Sequence, residues 1–255
     1  MIYPHQQKAI DYITDRFLRD PQVDALLISG SIAHGYNDAN SDVDLNIVAS
    51  GEHGLTWWES AEEFYPGGYF DGKYITLDYL ANIAERGNEA SKFALHDAII
   101  AFDRTGLVAG LQRQIAEYPT GGEQERIVRF LSQLDAWKWY CDEGLKRNNR
   151  YLLDYAASKL ILFAGRLILL ENRMFFPYHK WFLRVLEDAA KKPPELMPMI
   201  GGLLEEKSAE NITRLYELVK NYKDWTEGAP YNWGPHFVYD TELFWMRQEE
   251  TIDNL

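Results

Sequence analysis

Residues 29–48 read SGSIAHGYNDANSDVDLNIV, and this stretch determines the expected fold of the first half of the chain. It begins as a short apolar run ends, and such a run is typical of a strand that is buried on both faces. Gly30 and Ser31 close that run and a polar loop follows. The next segment alternates polar and apolar residues, which places Asp42 and Asp44 on one face of a second predicted strand. The pattern therefore predicts a strand, a loop and a strand, with a Gly-Ser turn and two carboxylates flanking the loop.

These residue types at this spacing favour chemistry on phosphate groups. Two carboxylates at positions i and i+2 of a strand lie on one face about 7 Å apart along the chain, within reach of two divalent cations about 3.5–4 Å apart. Carboxylate oxygens are suited to Mg²⁺ and Mn²⁺. Gly30 allows the backbone to approach a phosphate, and the Ser31 hydroxyl can hold a phosphate oxygen. Because Tyr36 stands where a Walker A loop needs its lysine, that class of nucleotide site is excluded.

The composition indicates a folded protein and argues against several functional classes. The chain has 255 residues, of which 46% are hydrophobic, as expected for a folded protein. The 26 basic residues against 39 acidic ones give a net charge of −13, which argues against nucleic acid as the main partner because binding of its backbone depends on Lys and Arg. A single cysteine, Cys141, excludes an internal disulfide and a thiolate zinc cluster. The N-terminus carries no signal pattern, and the most apolar run, at 160–170, is too short to span a membrane, so we expect a cytoplasmic protein.

Periodicity predicts an α+β chain with two parts, divided near Pro119–Gly122 into domains 1–119 and 120–255. The first part is predicted to be a small α/β domain, and the second an all-α helical bundle. Predicted strands are 23–29, 42–49, 73–80 and 97–103; predicted helices are 5–19, 55–64, 105–118, 123–147, 150–173, 179–190 and 208–225.

The motif at the centre of the first domain resembles that of a known superfamily. Gly30-Ser31, ten residues, then Asp42-x-Asp44 matches the motif of the nucleotidyltransferase fold of the DNA polymerase beta superfamily. Ser41 opens a Ser-Asp-x-Asp-Leu run that looks like the branch holding the bacterial aminoglycoside and lincosamide nucleotidyltransferases and the minimal nucleotidyltransferases.

The resemblance covers roughly residues 20–105 and implies a domain with a small mixed sheet. It further implies that Asp42 and Asp44 hold Mg²⁺, two ions being expected and Mn²⁺ an alternative. Gly30, Ser31 and Ser41 would then contact the nucleotide. The donor expected from the resemblance is a nucleoside triphosphate, with ATP favoured.

The superfamily usually carries a third carboxylate on an adjacent strand. Asp78 is the favoured match, because it follows the alternating run KYITLDYL near the end of a predicted strand. It would serve as a third metal ligand or as a general base. Asp71 is the competitor, but its glycine neighbours favour a turn at that position.

The helical half contributes candidate phosphate ligands. Lys159, Arg166, Arg173 and Lys180 recur every seven residues, and the first three would share one helix face. In the resembling antibiotic-modifying enzymes a helical domain supplies cations to the nucleotide, so Arg166 and Lys180 are expected to bind the triphosphate. The alternative is that these cations are surface charges or pair with Asp and Glu.

Other polar residues have two interpretations. Asp135 and Asp142 lie on a helix rich in aromatic residues, which could hold an acceptor bearing amines or could be an ordinary solvated face. His34 in the loop is interpreted as solvated, and the other histidines, His96 among them, as too scattered to form a ligand set.

Together these features predict a metal-dependent nucleotidyltransferase that moves a nucleoside monophosphate, AMP from ATP being favoured, onto a hydroxyl of a small molecule, for example an antibiotic. Two alternatives stay open: an enzyme that adenylylates proteins, and a regulatory nucleotide-binding module without turnover. The oligomeric state and the acceptor are not determined by the sequence.

Overall fold

The computed structural model describes residues 1–51, 53–246 and 251–254. The chain forms two compact units, Met1–Glu117 and Tyr118–Leu255, and the predicted boundary at 119/120 lies beside this division. In the described residues the first unit contains a five-stranded mixed sheet and the second is helical, which confirms the predicted α+β class.

The sheet of the first unit has the order β3-β4-β2-β1-β5. The pair β2–β4 is parallel and the other neighbouring strands are antiparallel. Its strands are β1 (Val23–Ile28), β2 (Val43–Ala49), β3 (Thr56–Ser60), β4 (Tyr69–Ile75) and β5 (Ile99–Asp103).

Both faces of this sheet are covered by apolar residues and helices, which explains the nearly continuous apolar sequence of β1. On one face, Leu26 and Leu45 are buried in a cluster with Phe17 of helix α1 (Pro4–Leu18). On the other face, Leu27 and Val48 belong to a second cluster. The helices of the first unit that follow α1 are α2 (Gly30–His34), α3 (Leu77–Arg86), α4 (Glu89–Leu95) and α5 (Val108–Ala116).

Three sequence predictions in this unit are wrong. The loop predicted between the first two strands begins as the helix α2. The predicted helix at 55–64 contains the strand β3, because its alternating residues pair with β4 and Trp57 packs against Phe17 at a ring distance of 5.4 Å. The predicted strand at 73–80 ends at Ile75, because the Thr76 hydroxyl accepts a hydrogen bond from the Tyr79 N–H and caps α3.

The second unit is built on two long helices, α6 (Glu123–Lys146) and α7 (Arg150–Glu171), whose Phe130 and Phe163 rings lie 6.1 Å apart in the interior. The predicted helices at 123–147, 150–173 and 208–225 are present, and the segment at 179–190 contains a shorter helix. The helices after α7 are α8 (Phe182–Glu187), α9 (Leu196–Glu205), α10 (Ala209–Lys220) and α11 (Trp233–Thr241).

Helices α9 and α11 were not predicted from the sequence, and both contain a proline. Pro198 and Pro235 lie in the first turn, where the missing N–H has no partner within the helix, so the helix tolerates them. Among the described residues no helix is both long and apolar enough to cross a membrane.

Candidate active site

The Gly-Ser turn lies directly against one of the predicted metal ligands. The N–H of Ser29, at the end of β1, donates to the Asp44 carbonyl oxygen at 2.9 Å, which joins the end of β1 to the beginning of β2. Gly30 has φ +62°, and a Cβ at this position would lie 1.7 Å from Asp44 Oδ2. A side chain here would occupy the space of the carboxylate, so both the backbone conformation and the close approach require glycine.

Three carboxylates converge beside this turn. Asp42 and Asp44 lie just before and within β2, and Asp71 lies on the neighbouring strand β4 as the register partner of Asp44. Each of the three offers an oxygen within 4.8 Å of the others. Like charges this close repel one another, and a divalent cation compensates them. An all-oxygen donor set of this kind suits Mg²⁺ or Mn²⁺.

Two buried polar atoms next to the carboxylates support this fit. Within the described part of the chain, Ser31 Oγ and Asn46 Oδ1 are buried and have no hydrogen-bond partner. The Asn46 amide is held in place because its Nδ2 donates to Ser29 Oγ at 2.8 Å. Buried polar groups are normally satisfied, so unsatisfied oxygens beside three carboxylates are what a site for a metal and a phosphate would provide.

Two further residues of the site were missed by the sequence analysis. Lys73 follows Asp71 on the same face of β4 and is the register partner of Asn46. Burial lowers the pKa of Lys73, while the Asp44 and Asp71 carboxylates act in the opposite direction. Tyr69 lies at the start of β4, and interaction of its hydroxyl with the Asp42 carboxylate raises its pKa.

The structure corrects the choice of the third carboxylate. Asp78 lies in the first turn of α3, outside the sheet, and its side chain is exposed. Asp71, which the sequence placed in a turn, is in β4 and completes the carboxylate cluster. The signal that could have found it is the alternation YFDGKYI, which begins four residues before the predicted strand and places Tyr69, Asp71 and Lys73 on one face.

The loop between the turn and the carboxylates is held by the beginning of α1. Gln6 is fully buried, and its Nε2 donates to the Asp38 and Ser41 carbonyl oxygens at 2.8 and 3.2 Å, while its Oε1 accepts from Asn37 Nδ2 at 2.8 Å. The Tyr65 hydroxyl also donates to the Ser41 carbonyl oxygen at 2.9 Å. Gln6 therefore positions the segment that leads into Asp42, a role that no sequence motif indicated.

Ser41 itself contributes to the conformation of this loop. Its hydroxyl accepts from the Asp38 N–H at 2.9 Å and donates to Asp38 Oδ1 at 3.2 Å. That Ser41 contacts a nucleotide stays a prediction.

The basic residues predicted to bind the nucleotide lie in different environments within the helical unit. Arg166 is 1% exposed and lies between the rings of Phe130 and Phe176 at 4.6 and 4.5 Å, and its Nη1 donates to the Asp253 carbonyl oxygen at 3.0 Å. Because protein encloses this guanidinium, the structure does not present it to a nucleotide, and the expectation for Arg166 is corrected. Lys180 is exposed beside the Trp181 ring, and its role in binding stays a prediction.

The other two cations follow the alternative interpretation, in which they pair with acidic residues. Lys159 forms an ion pair with Asp253, and Arg173 lies 3.5 Å from Glu123.

The acidic face of α6 divides into two environments. Asp135 is almost buried and accepts hydrogen bonds from Tyr216, Lys220 and Tyr231 at 2.7–2.9 Å. Burial together with the Asp135 charge raises the pKa of Tyr216. Asp142, in contrast, is half exposed and pairs with Lys138. Because Asp135 already has a full set of donors within the chain, it is neither a solvated residue nor an open site for an amine.

Comparisons with known proteins give limited similarity. A family model described as a domain of unknown function, DUF4037, matches residues 88–182, which is less than half of the chain. A search of curated proteins finds no match. Among solved structures, the chain is similar to the crystal structure of a nucleotidyltransferase-like protein from Exiguobacterium sibiricum 255-15, with 14% identity and a TM-score of 0.47 over 85% of this chain and 73% of that chain.

Proposed function

We propose that the chain is a metal-dependent nucleotidyltransferase that moves a nucleoside monophosphate from a nucleoside triphosphate, ATP being favoured, onto a hydroxyl group of a small molecule. The observation that carries the proposal is the convergence of Asp42, Asp44 and Asp71 within 4.8 Å of one another, beside the Gly30-Ser31 turn. Three carboxylates alone suit many cation sites. Their position against a glycine turn with an unsatisfied serine hydroxyl favours a phosphate ligand.

In this proposal Asp42, Asp44 and Asp71 hold Mg²⁺. The metal would supply positive charge that stabilises the α-phosphate and the departing pyrophosphate. Ser31 Oγ and backbone N–H groups of the turn hold phosphate oxygens, and the absence of a side chain at Gly30 lets the Asp44 carboxylate lie directly against the turn. Lys73 adds a cation on the same sheet face as Asp44 and Asp71.

The chemical step replaces the phosphoanhydride bond between the α- and β-phosphates with a phosphoester bond to the acceptor. The acceptor hydroxyl oxygen forms a bond to the α-phosphorus, and the bond from the α-phosphorus to the oxygen bridging to the β-phosphate breaks. The bridging oxygen leaves with pyrophosphate. The hydroxyl proton passes to a carboxylate, for which Asp71 is the candidate because it is the most exposed of the three.

The class of acceptor is proposed from charge. The net charge of −13 disfavours a nucleic acid as acceptor, since such partners bind through phosphate contacts to basic residues. A small molecule is favoured, an antibiotic being one example, and a protein hydroxyl is the second candidate. Location in the cytoplasm is likewise a proposal.

The first experiment tests whether the chain binds a nucleoside triphosphate together with Mg²⁺. Thermal unfolding is measured with each of the four nucleoside triphosphates, with and without Mg²⁺, on the wild type, Asp44→Asn and Asp78→Asn. A ligand present at a hundred times its Kd stabilises by about 2.7 kcal/mol. We expect stabilisation by one triphosphate that requires Mg²⁺, is lost in Asp44→Asn and is retained in Asp78→Asn.

Release of pyrophosphate in the presence of a panel of hydroxyl acceptors then tests turnover. Stabilisation without release with any acceptor would favour the alternative, a regulatory nucleotide-binding module. No stabilisation by any triphosphate, together with no pyrophosphate release, would overturn the proposal.

A further inference from the structure

A second cluster of ligand-type side chains lies at the other end of helix α2. His34 Nδ1 is 2.8 and 2.9 Å from the two carboxylate oxygens of Asp97, and His96 Nδ1 is 2.8 Å from the Phe93 carbonyl oxygen and 3.7 Å from Asp97 Oδ1. Each of the three residues offers one ligand atom within 4.8 Å of the others. The sequence analysis treated these histidines as scattered and solvated, and this was wrong because the fold brings α2 against the segment that follows α4.

The two imidazole rings are ordered by aromatic neighbours. The His34 ring is stacked on Phe93 at 4.2 Å and lies 5.7 Å from the His96 ring at an angle of 28°. The His34 side chain is only 4% exposed, whereas those of His96 and Asp97 are 28% and 40% exposed. The cluster therefore has one buried, fixed ligand and two ligands on its solvent side.

We propose that His34, His96 and Asp97 form a binding site for a transition-metal ion of the Zn²⁺ class, with solvent completing the coordination. Two imidazole nitrogens and one carboxylate oxygen are a common three-ligand set for zinc, with a fourth position for water. Imidazole ligands select Zn²⁺, Ni²⁺ or Co²⁺ over Mg²⁺, which prefers oxygen ligands such as those of the Asp42–Asp44–Asp71 cluster.

The site has a clear structural consequence. His34 is the last residue of α2, whose first residues are Gly30 and Ser31, and Asp97 lies in the segment before β5. A bound ion joins these two segments at one point. It therefore restrains the helix that carries the Gly-Ser turn, whether or not the chain transfers nucleotides.

The test measures Zn²⁺ and Co²⁺ binding directly. Equilibrium dialysis with Zn²⁺ is performed in excess Mg²⁺, so that the all-oxygen cluster is occupied, and Co²⁺ binding is followed by its visible absorption. The single thiol does not compete, because Cys141 is buried in α6 and burial raises its pKa to about 12.

The variants change the two ligands on the solvent side, the partly buried His96 and the exposed Asp97, and urea unfolding checks that each variant keeps the fold. We expect one Zn²⁺ per chain in the wild type and a loss of affinity of about tenfold or more in His96→Gln and in Asp97→Asn. His53→Gln is the matched control, since His53 contacts Tyr74 and the Ser50 carbonyl oxygen instead. Asp42→Asn is the control for the carboxylate cluster, and both controls are expected to bind Zn²⁺ as the wild type does.

Absence of stoichiometric Zn²⁺ binding by the wild type would overturn the proposal. Unchanged affinity in both His96→Gln and Asp97→Asn would also overturn it. Loss of binding in Asp42→Asn with retention in His96→Gln would place the ion at the carboxylate cluster and would equally refute a histidine site.

Discussion

Asp44 and Asp71 are register partners on two adjacent parallel strands, so their carboxylates project from the same face of the sheet at the same level. This relationship brings together two residues from segments separated by the whole of β3. The next register pair on the same face of the sheet, Asn46 and Lys73, is also polar. One pair further on, Val48 and Ile75 belong to the apolar core.

Substitutions of Asp71 and Asp78 test which of the two residues is the third carboxylate of the site. Asp71→Asn is expected to reduce nucleotidyl transfer by about a hundredfold or more, because it removes a carboxylate from the cluster. Asp78→Asn is expected to cost about 0.3–1 kcal/mol of stability, since an acidic residue in the first turn of α3 interacts favourably with the helix dipole. Initial rates of pyrophosphate release and urea unfolding measure both effects. Equal rates in the two variants would contradict the assignment of Asp71.

Alanine substitutions at Gly30 and Gly35 distinguish the effect of backbone strain from that of a steric clash with Asp44. Both have positive φ, so Ala at either position costs roughly 1–2 kcal/mol of stability. A Cβ at Gly35 meets nothing within 4 Å, whereas one at Gly30 collides with Asp44. Gly30→Ala is therefore expected to abolish Mg²⁺-dependent nucleotide binding, and Gly35→Ala to retain it. Calorimetric titration at matched folded fractions checks this; retained binding in Gly30→Ala would count against the site.

Gln6 is expected to be required for the loop that precedes Asp42. Gln6→Ala removes the donor to the Asp38 and Ser41 carbonyl oxygens from a buried position, which should lower the free energy of unfolding by about 2–3 kcal/mol. Gln7→Ala is the matched control: Gln7 is exposed and its side-chain amide donates to Asp11, so the substitution should change stability by less than about 0.5 kcal/mol. Chemical denaturation measures both, and similar values for the two variants would refute the role of Gln6.

Asp135 is predicted to stabilise the second unit. Asp135→Asn leaves the Lys220 ammonium without its counter-charge in a partly buried position, so a loss of about 2–3 kcal/mol is expected. Asp142→Asn removes an exposed ion pair on the same helix and should cost less than about 1 kcal/mol. Urea unfolding of the two variants under identical conditions tests the difference. A larger loss in Asp142→Asn would show that burial of Asp135 is not the determining factor.

Asp103 provides a prediction of pH dependence. Burial raises the pKa of Asp103, but hydrogen bonds from Thr105, Gly106 and Val108 outweigh burial and lower it. A carboxyl whose pKa is lower in the folded state stabilises the protein above the unfolded pKa of about 3.9 and loses that contribution as the pH falls through the folded value. Asp103→Asn should therefore cost about 1 kcal/mol at pH 7, because it weakens hydrogen bonds to a charged acceptor, and progressively less below about pH 4. Unfolding measured across this range checks the trend, and a difference independent of pH would contradict it.

Much of the site could be predicted from the sequence because its central motif is local. Gly30, Ser31, Asp42 and Asp44 lie within the single segment that runs from the end of β1 through α2 to the start of β2, so their proximity follows from chain connectivity and the alternation of a strand. Asp71 could not be found in this way, because a single sequence does not determine which strands pair or in what register. Its glycine neighbours also favoured a turn, although Gly72 packs within the sheet against Trp57 and Ile47.

The cations of the helical unit show a different limit. A seven-residue spacing places residues on one face of a helix but does not say whether that face is buried. Arg166 has that spacing and is enclosed between two phenylalanine rings, whereas Lys180 lies outside the helix and is exposed. Burial depends on which helices pack together, and the seven-residue spacing does not determine that packing.

By itself the sequence determined the α+β class, the extent of the long helices, and the Gly30-Ser31 and Asp42-x-Asp44 motifs, because each depends on interactions between residues near one another in the chain. Only the tertiary structure decided that Asp71 rather than Asp78 completes the carboxylate cluster, that Gln6 holds the loop, and that His34 meets His96 and Asp97. These contacts join distant segments, and their formation depends on strand register and helix packing, which are set by burial of the whole core.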